Sequence, residues 1–376
     1  MAGNMKPLDP ATDIVPVSTI LREAIPITGS IISGTYAESD GTGNNSNIKT
    51  YTHGLFLTAY DYPYASSSAN DLFDITAGYS TNSTVEGATG AVSGTQKNNI
   101  YNQMSQVLVG YDQSGSIERF DKDGDLRSGP KVDEIIVMNI SRLLAKDGID
   151  KGTFSLDLGV SGGFSGPFTH QVRIKDTTGT SSYLVNSPKG EYGILYASNL
   201  AGIPLDGLGT TAGATDAPCG LLYYQPGIAV LSASMFNQTA SGGLMSASNI
   251  AWHSASATGE RTIHQTLASG TIDDLANGLR HRFSNLSFNN TTMLNSTMYT
   301  CRITSRDFNY SSNPTYLSGS KIIVKGNNPK NNPKTFITTV GLYGPLGNQL
   351  LAVAKLAKPI ENSNFEDLLI KVRLDY

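Results

Sequence analysis

Asp121, Asp123 and Asp125 stand at alternate positions in Asp-Lys-Asp-Gly-Asp, the spacing of positions 1, 3 and 5 of a calcium loop. The rest of that loop is missing. Leu126 stands where a glycine makes the sharp turn, and Val132 stands where a bidentate glutamate supplies the last oxygens. An acidic turn between elements accounts for the cluster with fewer demands, and calcium is the competing reading. Gly159-Val160-Ser161-Gly162-Gly163 has the letters of a nucleophile elbow. That chemistry needs a helix directly after the serine, and Phe164-Ser165-Gly166-Pro167 is a poor start for one. His170 is available as a base, but no acid partner is singled out, so the stretch reads as a glycine-rich loop.

The remaining chemistry-bearing residues are scattered. His53, His170, His253, His264 and His281 form no metal-binding pair at short spacing. Cys219 and Cys301 form no CxxC motif and read as two free, buried thiols, with a disulfide between them as the other reading. Gly87 to Gly94 lacks the lysine and the strand-then-helix setting of a phosphate loop. Arg280-His281-Arg282 and the tyrosines 60, 62 and 64 could face sugar or nucleic acid. A basic helix end, a tyrosine-rich strand and a subunit interface are the other readings. A glycosidase needs two carboxylates at a set separation, and nothing selects a pair among Asp121, Asp123, Glu134 and Asp157. The sequence therefore supplies no catalytic, cofactor-binding or metal-binding set, and the chain is expected not to be an enzyme.

The scaffold that would carry such residues follows from composition. In 376 residues, 15% are charged, the net charge is −4 and there are 39 glycines. That balance gives no basic footprint for nucleic acid and favours turns over long helices. No run of 18 apolar residues predicts a membrane span, and the first residues lack the apolar core of a signal peptide. The expected fold is mainly β with a few short helices, in antiparallel β-sandwich-like sheets with long loops. Residues 1–28 read as an extended N-terminal arm with a short helix at Ser18 to Ala24. Residues 29–180 read as a first β-rich part, 181–220 as a loop-rich connection and 221–376 as a second β-rich part.

Periodicity fills in the elements. Ile100, Met104, Val107 and Leu108 predict a helix over 98–109 that stops at Gly110. Ile272, Leu275, Leu279 and Phe283 predict a second, with carboxylates at its start and basic groups at its end. Lys131 to Ile140, Thr153 to Val160 and Gln171 to Ile174 read as strands, and Ser141–Lys146 as a helical turn or two. The Gly/Ser/Thr-rich stretch 82–96 reads as a mobile loop. Thr335 to Tyr343 and Gln349 to Leu356 predict a hairpin. In the last segment Ile370, Val372, Leu374 and Tyr376 alternate with Lys371, Arg373 and Asp375, which predicts a strand tied into a sheet.

Several blocks carry a resemblance. They are IKTYTHGLFLTAYDYPYASSSANDLFDITAGYS (48–80), NNIYNQMSQVLVGYDQSGSIERFDKDGD (98–125), SPKGEYGILY (187–196), FSNLSFNNTTMLNSTMYTCR (283–302), FNYSSNPTYLSGSKI (308–322) and TTVGLYGPLGNQLLAVAKLAKPI (338–360). Together they resemble virion structural proteins of contractile-tailed marine and cyanobacterial bacteriophages. The blocks cover most of the chain from about residue 30 and carry no active-site signature. The resemblance implies a component of a phage particle, expected in the tail or baseplate. Its partners would be copies of itself and other virion proteins, with neither nucleic acid nor membrane. The alternatives are a head, collar or neck part, and a receptor-binding or polysaccharide-degrading tail protein.

Overall fold

The computed structural model describes residues 5–29, 47–88, 92–126, 129–160, 171–199, 216–237, 243–244, 252–255, 259–309, 317–318, 321–322, 334–345 and 349–376. The protein is mainly β, with large antiparallel sheets and short helices. In chain order the elements begin with β1 (Ile14–Thr28), β2 (Ile48–Thr50), β3 (Leu57–Tyr60), β4 (Asp71–Tyr79), α1 (Gly94–Leu108), β5 (Phe120–Asp121), β6 (Lys131–Val132), β7 (Glu134–Ile140) and α2 (Arg142–Ala145). The middle holds β8 (Gly148–Ile149), β9 (Ser155–Gly159), β10 (Gln171–Lys175), β11 (Leu184–Ser187), β12 (Gly190–Asn199), β13 (Asp216–Tyr223) and β14 (Ile228–Ser232). The rest are β15 (His253–Ala255), β16 (Gly259–Arg261), α3 (Ile263–Ser269), α4 (Ile272–Arg282), β17 (Phe283–Ile303), β18 (Leu317–Ser318), β19 (Lys321–Ile322), β20 (Lys334–Tyr343), β21 (Leu350–Ser363) and β22 (Leu368–Asp375).

Two compact units divide the chain, one of residues 21–292 and one of 1–20 with 293–376. The larger unit is built on an antiparallel sheet ordered β17-β9-β10-β12-β13-β14-β7-β4-β3-β2. Its middle strands are apolar on both faces, as in Glu-Ile-Ile-Val-Met-Asn-Ile of β7, so two cores form. Phe73, Ile75, Ile136 and Met138 face one core, together with Leu275 and Leu279 of α4. Ile135, Val137, Tyr223 and Val230 face the other, together with Tyr101 and Leu108 of α1. A Cβ at Gly78 of β4 would stand 2.5 Å from the Lys97 carbonyl, so glycine there lets α1 lie directly on the strand.

The helices keep the predicted logic with local changes. α1 buries Ile100 and Leu108 but exposes Val107, and Tyr101 fills the inward position instead. Gly110 ends it at φ +103°, donating its N–H to the Ser105 carbonyl at 3.0 Å. α4 opens with a capping box in which Thr271 and Asp274 satisfy each other's backbone N–H groups, and basic residues sit in its last turn.

Several expectations are corrected. No helix forms at Ser18 to Ala24, where β1 runs extended as the neighbour of β17. The described parts of 82–96 are anchored: Val85 is buried, Ser83 Oγ donates to Glu134 at 2.8 Å, and α1 begins at Gly94. The described part of 181–220 is not a loop-rich connection. It carries β11, β12 and β13, whose pairing places it inside the larger unit. Residues 31–36, whose sequence Ile-Ile-Ser-Gly-Thr-Tyr reads as a strand, lie outside the described residues.

In the smaller unit the second half of β17 pairs with β22, with Cys301 opposite Ile370 and Tyr299 opposite Val372. β20 and β21 pair with each other as the predicted hairpin. Ile303, Leu342, Ile370 and Val372 form a small apolar core, against which Ile337, Val340, Ala352 and Ala354 pack. Ile370, Val372 and Leu374 thus share the inward face as predicted. Tyr376 does not, being 81% exposed, although its hydroxyl lies 3.0 Å from the Thr297 hydroxyl and its N–H donates to the Asn295 carbonyl at 3.0 Å.

Candidate functional site

The acidic cluster is the densest set of ligand-type side chains. β5 and β6 form a tight antiparallel ladder with Asp121 opposite Lys131, and the segment between them is the acidic turn. Carboxylate oxygens of Asp121, Asp123 and Asp125 lie within 4.8 Å of one another. Asp121 is fully buried, and its Oδ2 accepts from the Leu126 N–H at 2.8 Å and from Lys131 Nζ at 3.0 Å. Burial raises the Asp123 carboxyl above its ordinary range, with help from the neighbouring charges of Asp121 and Asp125.

Leu126 adopts φ +62°, the left-handed conformation that a calcium loop assigns to its glycine. A leucine tolerates it here because its N–H is tied to Asp121 and its side chain packs against the α1 core. Val132 is buried in β6 and supplies no side-chain oxygen. The adjacent Lys131 brings an ammonium to the one buried carboxylate, and it reaches Glu118 at 3.4 Å as well. A lysine-clamped acidic turn is what the geometry builds. Three carboxylates this close could still hold a cation.

The other predicted residues do not converge. Ser161 and His170 lie outside the described residues. Gly159 ends β9 and Val160 follows it, and the Gly159 carbonyl accepts from Arg282 at 3.1 Å. Glu134 accepts from Ser83, while Asp157 is gripped by Arg173 through two hydrogen bonds of 2.6 and 2.8 Å. These two carboxylates are therefore each held by a different neighbour. His53 accepts the Leu55 N–H and stacks on Tyr51, His264 is exposed on α3, and His281 is buried in α4. His253 lies in β15. Among the described residues only the three aspartates group as potential metal ligands.

Arg280 and Arg282 are fully buried, which removes the basic surface imagined at 280–282. Arg280 donates twice to Asn277 Oδ1, at 2.9 and 2.6 Å. Arg282 stands 5.4 Å from the Trp252 ring centroid, and burial pulls its guanidinium down to about 9. Tyr62 and Tyr64 are exposed, with Tyr64 tilted against Tyr60 at 6.4 Å between centroids. Both cysteines are free. Cys219 is buried, with its thiol pushed up to about 12 by desolvation, whereas Cys301 is only partly buried in β17.

Two features escaped sequence reasoning. One is Lys97, buried on α1, whose ammonium donates to the carbonyls of Leu267 and Gly270 at the end of α3 at 2.6 and 2.8 Å. No local pattern signals a contact across 170 residues. The other is the distribution of exposed apolar side chains. Among the described residues, 13 of the 23 large exposed hydrophobics fall in the smaller unit, although that unit holds only 104 of the 376 residues. They include Phe336, Tyr343, Leu351 and Val353 on the hairpin, where alternation hides which face stays uncovered. Comparison with known family models, characterised proteins and solved structures returns no match.

Proposed function

We propose that the chain is a structural component of a tailed-bacteriophage particle, placed in the tail or baseplate. It acts by assembly with copies of itself and other virion proteins, not by catalysis. Its place of action is the virion, built in the host cytoplasm. The sequence blocks named above supply the phage part of this reading. The observation that carries the assembly part is the apolar exposure of the smaller unit. A two-stranded ribbon such as β20–β21 is marginal in water unless both faces find cover, and here one face packs inward while Leu351 and Val353 are 64% and 58% exposed. Large exposed apolar patches of this kind favour protein–protein contact.

The test is the pair Leu351→Asp with Val353→Asp, which alters only outward positions. The unaltered chain is expected to self-associate in sedimentation velocity at roughly micromolar to tens of micromolar concentration. The double variant is expected to stay monomeric with an unchanged thermal midpoint, and to be left out of particles. A variant that enters particles at the normal level would sink the proposal.

A further inference from the structure

The larger unit holds a polar cavity of about 380 Å³ bordered by Ser155, Arg173, Lys175, Asp176, Asn285 and Ser287. Its floor is one face of three adjacent strands. Lys175 pairs with Ser155 across β10 and β9, and Ser155 pairs with Ser287 across β9 and β17. Two residues along each strand, Arg173, Asp157 and Asn285 form a parallel row. Because side chains alternate in a strand, both rows share a face. The intervening residues Val172, Ile174, Leu156, Leu158 and Leu286 point the other way, into the main core. Alternation in Ser-Leu-Asp-Leu and Val-Arg-Ile-Lys thus builds a flat polar floor on a rigid sheet.

The chemistry of that floor is specific. The Arg173 charge is already matched by the two-point bond to Asp157. Lys175 brings a positive charge and Asp176 a negative one, so the charges at the cavity balance. Among the described residues, the side chains of Lys175, Ser155, Asn285 and Ser287 make no hydrogen bond or ion pair. Asp176 is 1% exposed, and its Oδ2 takes hydrogen bonds from the Tyr224 hydroxyl and the Gly152 N–H. Its Oδ1 has no hydrogen-bond partner. A buried acceptor left without a donor is costly. Asp176 sits behind the lining, bonded to the core residue Tyr224, so its charge offsets that of Lys175 without reaching a ligand. The floor offers the Lys175 ammonium beside the Asn285 amide and the Ser155 and Ser287 hydroxyls, which both donate and accept.

An anion would be disfavoured by the negative charges of Asp176 behind the lining and of Asp157 beside Arg173, and a cation would meet Lys175. An apolar molecule would strand the polar lining. The volume falls within the range of roughly 300–1,000 Å³ usual for small-molecule sites, but the lining is polar where such sites are mostly apolar. We propose that this cavity binds a neutral saccharide, whose hydroxyls both donate and accept. The inference stands apart from the assembly reading, because it rests on different residues and on small-molecule binding.

The experiment titrates the full chain with glucose, galactose, mannose, N-acetylglucosamine and maltose, with inorganic phosphate as the anion arm. Saturation-transfer NMR and calorimetry supply the readouts. At least one sugar is expected to saturate with a Kd on the order of millimolar. Lys175→Ala and Ser287→Ala should each weaken that sugar at least about tenfold, while Lys189→Ala, an exposed lysine elsewhere, leaves it unchanged. Thermal midpoints of the three variants establish that each remains folded. Saturation by none of the sugars would overturn the assignment. So would phosphate binding more tightly than every sugar, or sugar binding that survives both substitutions.

Discussion

The buried ammonium of Lys97 is a single residue on which two elements depend. The last carbonyls of a helix have no partner within it, and at the end of α3 this lysine supplies donors to two carbonyls. Burial brings its ammonium down to about 8, so the folded chain releases a proton more readily than the unfolded chain does. From pH 8 up to the ordinary lysine range the unfolded state binds more protons, and this group makes stability rise with pH. Buried phenols and a thiol act in the opposite sense. Burial raises Cys219 and Tyr192 to about 12 and pushes up Tyr101, so their contribution is full at neutral pH and is lost above about 9 to 10. Burial lowers Arg282, to about 9, and Lys122 as well, and both act in the same sense as Lys97. The Lys97 part is therefore read between about pH 8 and 9 as the difference between the unaltered chain and a variant without it. Lys97→Met is expected to cost roughly 1–3 kcal/mol at pH 7 through the two carbonyls left without a donor. It should also flatten the slope of stability between pH 8 and 9, measured by chemical denaturation. A slope unchanged by the substitution would count against this assignment.

At the scale of elements, the strands and helices that end on themselves were legible, and those completed by distant partners were not. The α4 helix announced itself through Thr271, Asp273 and Asp274 at its start and Arg280 to Arg282 at its end, a pattern confined to eleven residues and their cap. The β20–β21 hairpin and β22 were equally local. By contrast, the short helix expected at Ser18 to Ala24 gave way to β1, because pairing with β17 overrides a weak helical preference. The strands β12 and β13 hid in glycine- and tyrosine-rich sequence, since each is stabilised by the other over seven paired positions. At the acidic turn the three aspartates were visible, but the role of Lys131 depends on a ladder that brings position 131 opposite 121. The polar cavity needed three strands in register and could not be read from any one of them. β22 offers the element-scale prediction. It pairs with β17 over eight positions and supplies Ile370 and Val372 to the small core. Removing residues 365–376 should unfold the smaller unit and abolish entry into particles together, seen as loss of a cooperative thermal transition and absence from purified virions. A truncated chain that still assembles would contradict it.

At the scale of the whole molecule, the two units differ in how fully they cover themselves. The larger one encloses two cores on either side of a sheet, with helices closing both faces. The smaller one has a single modest core and carries most of the exposed large hydrophobics. Each strand of the β20–β21 ribbon has one edge with no strand partner among the described residues. Open edges and uncovered apolar side chains are both relieved by association, through added hydrogen bonds and through burial. Hydrogen exchange can read this directly, because amides in marginal elements open locally while those in a large core open only with global unfolding. Amides of β20, β21 and the first half of β1 should exchange faster in the free subunit and gain protection in the assembled particle, by an order of magnitude or more. Those of β7 and α1 should be slow in both states. Equal protection of the hairpin before and after assembly would mean that its exposed face is not where subunits meet.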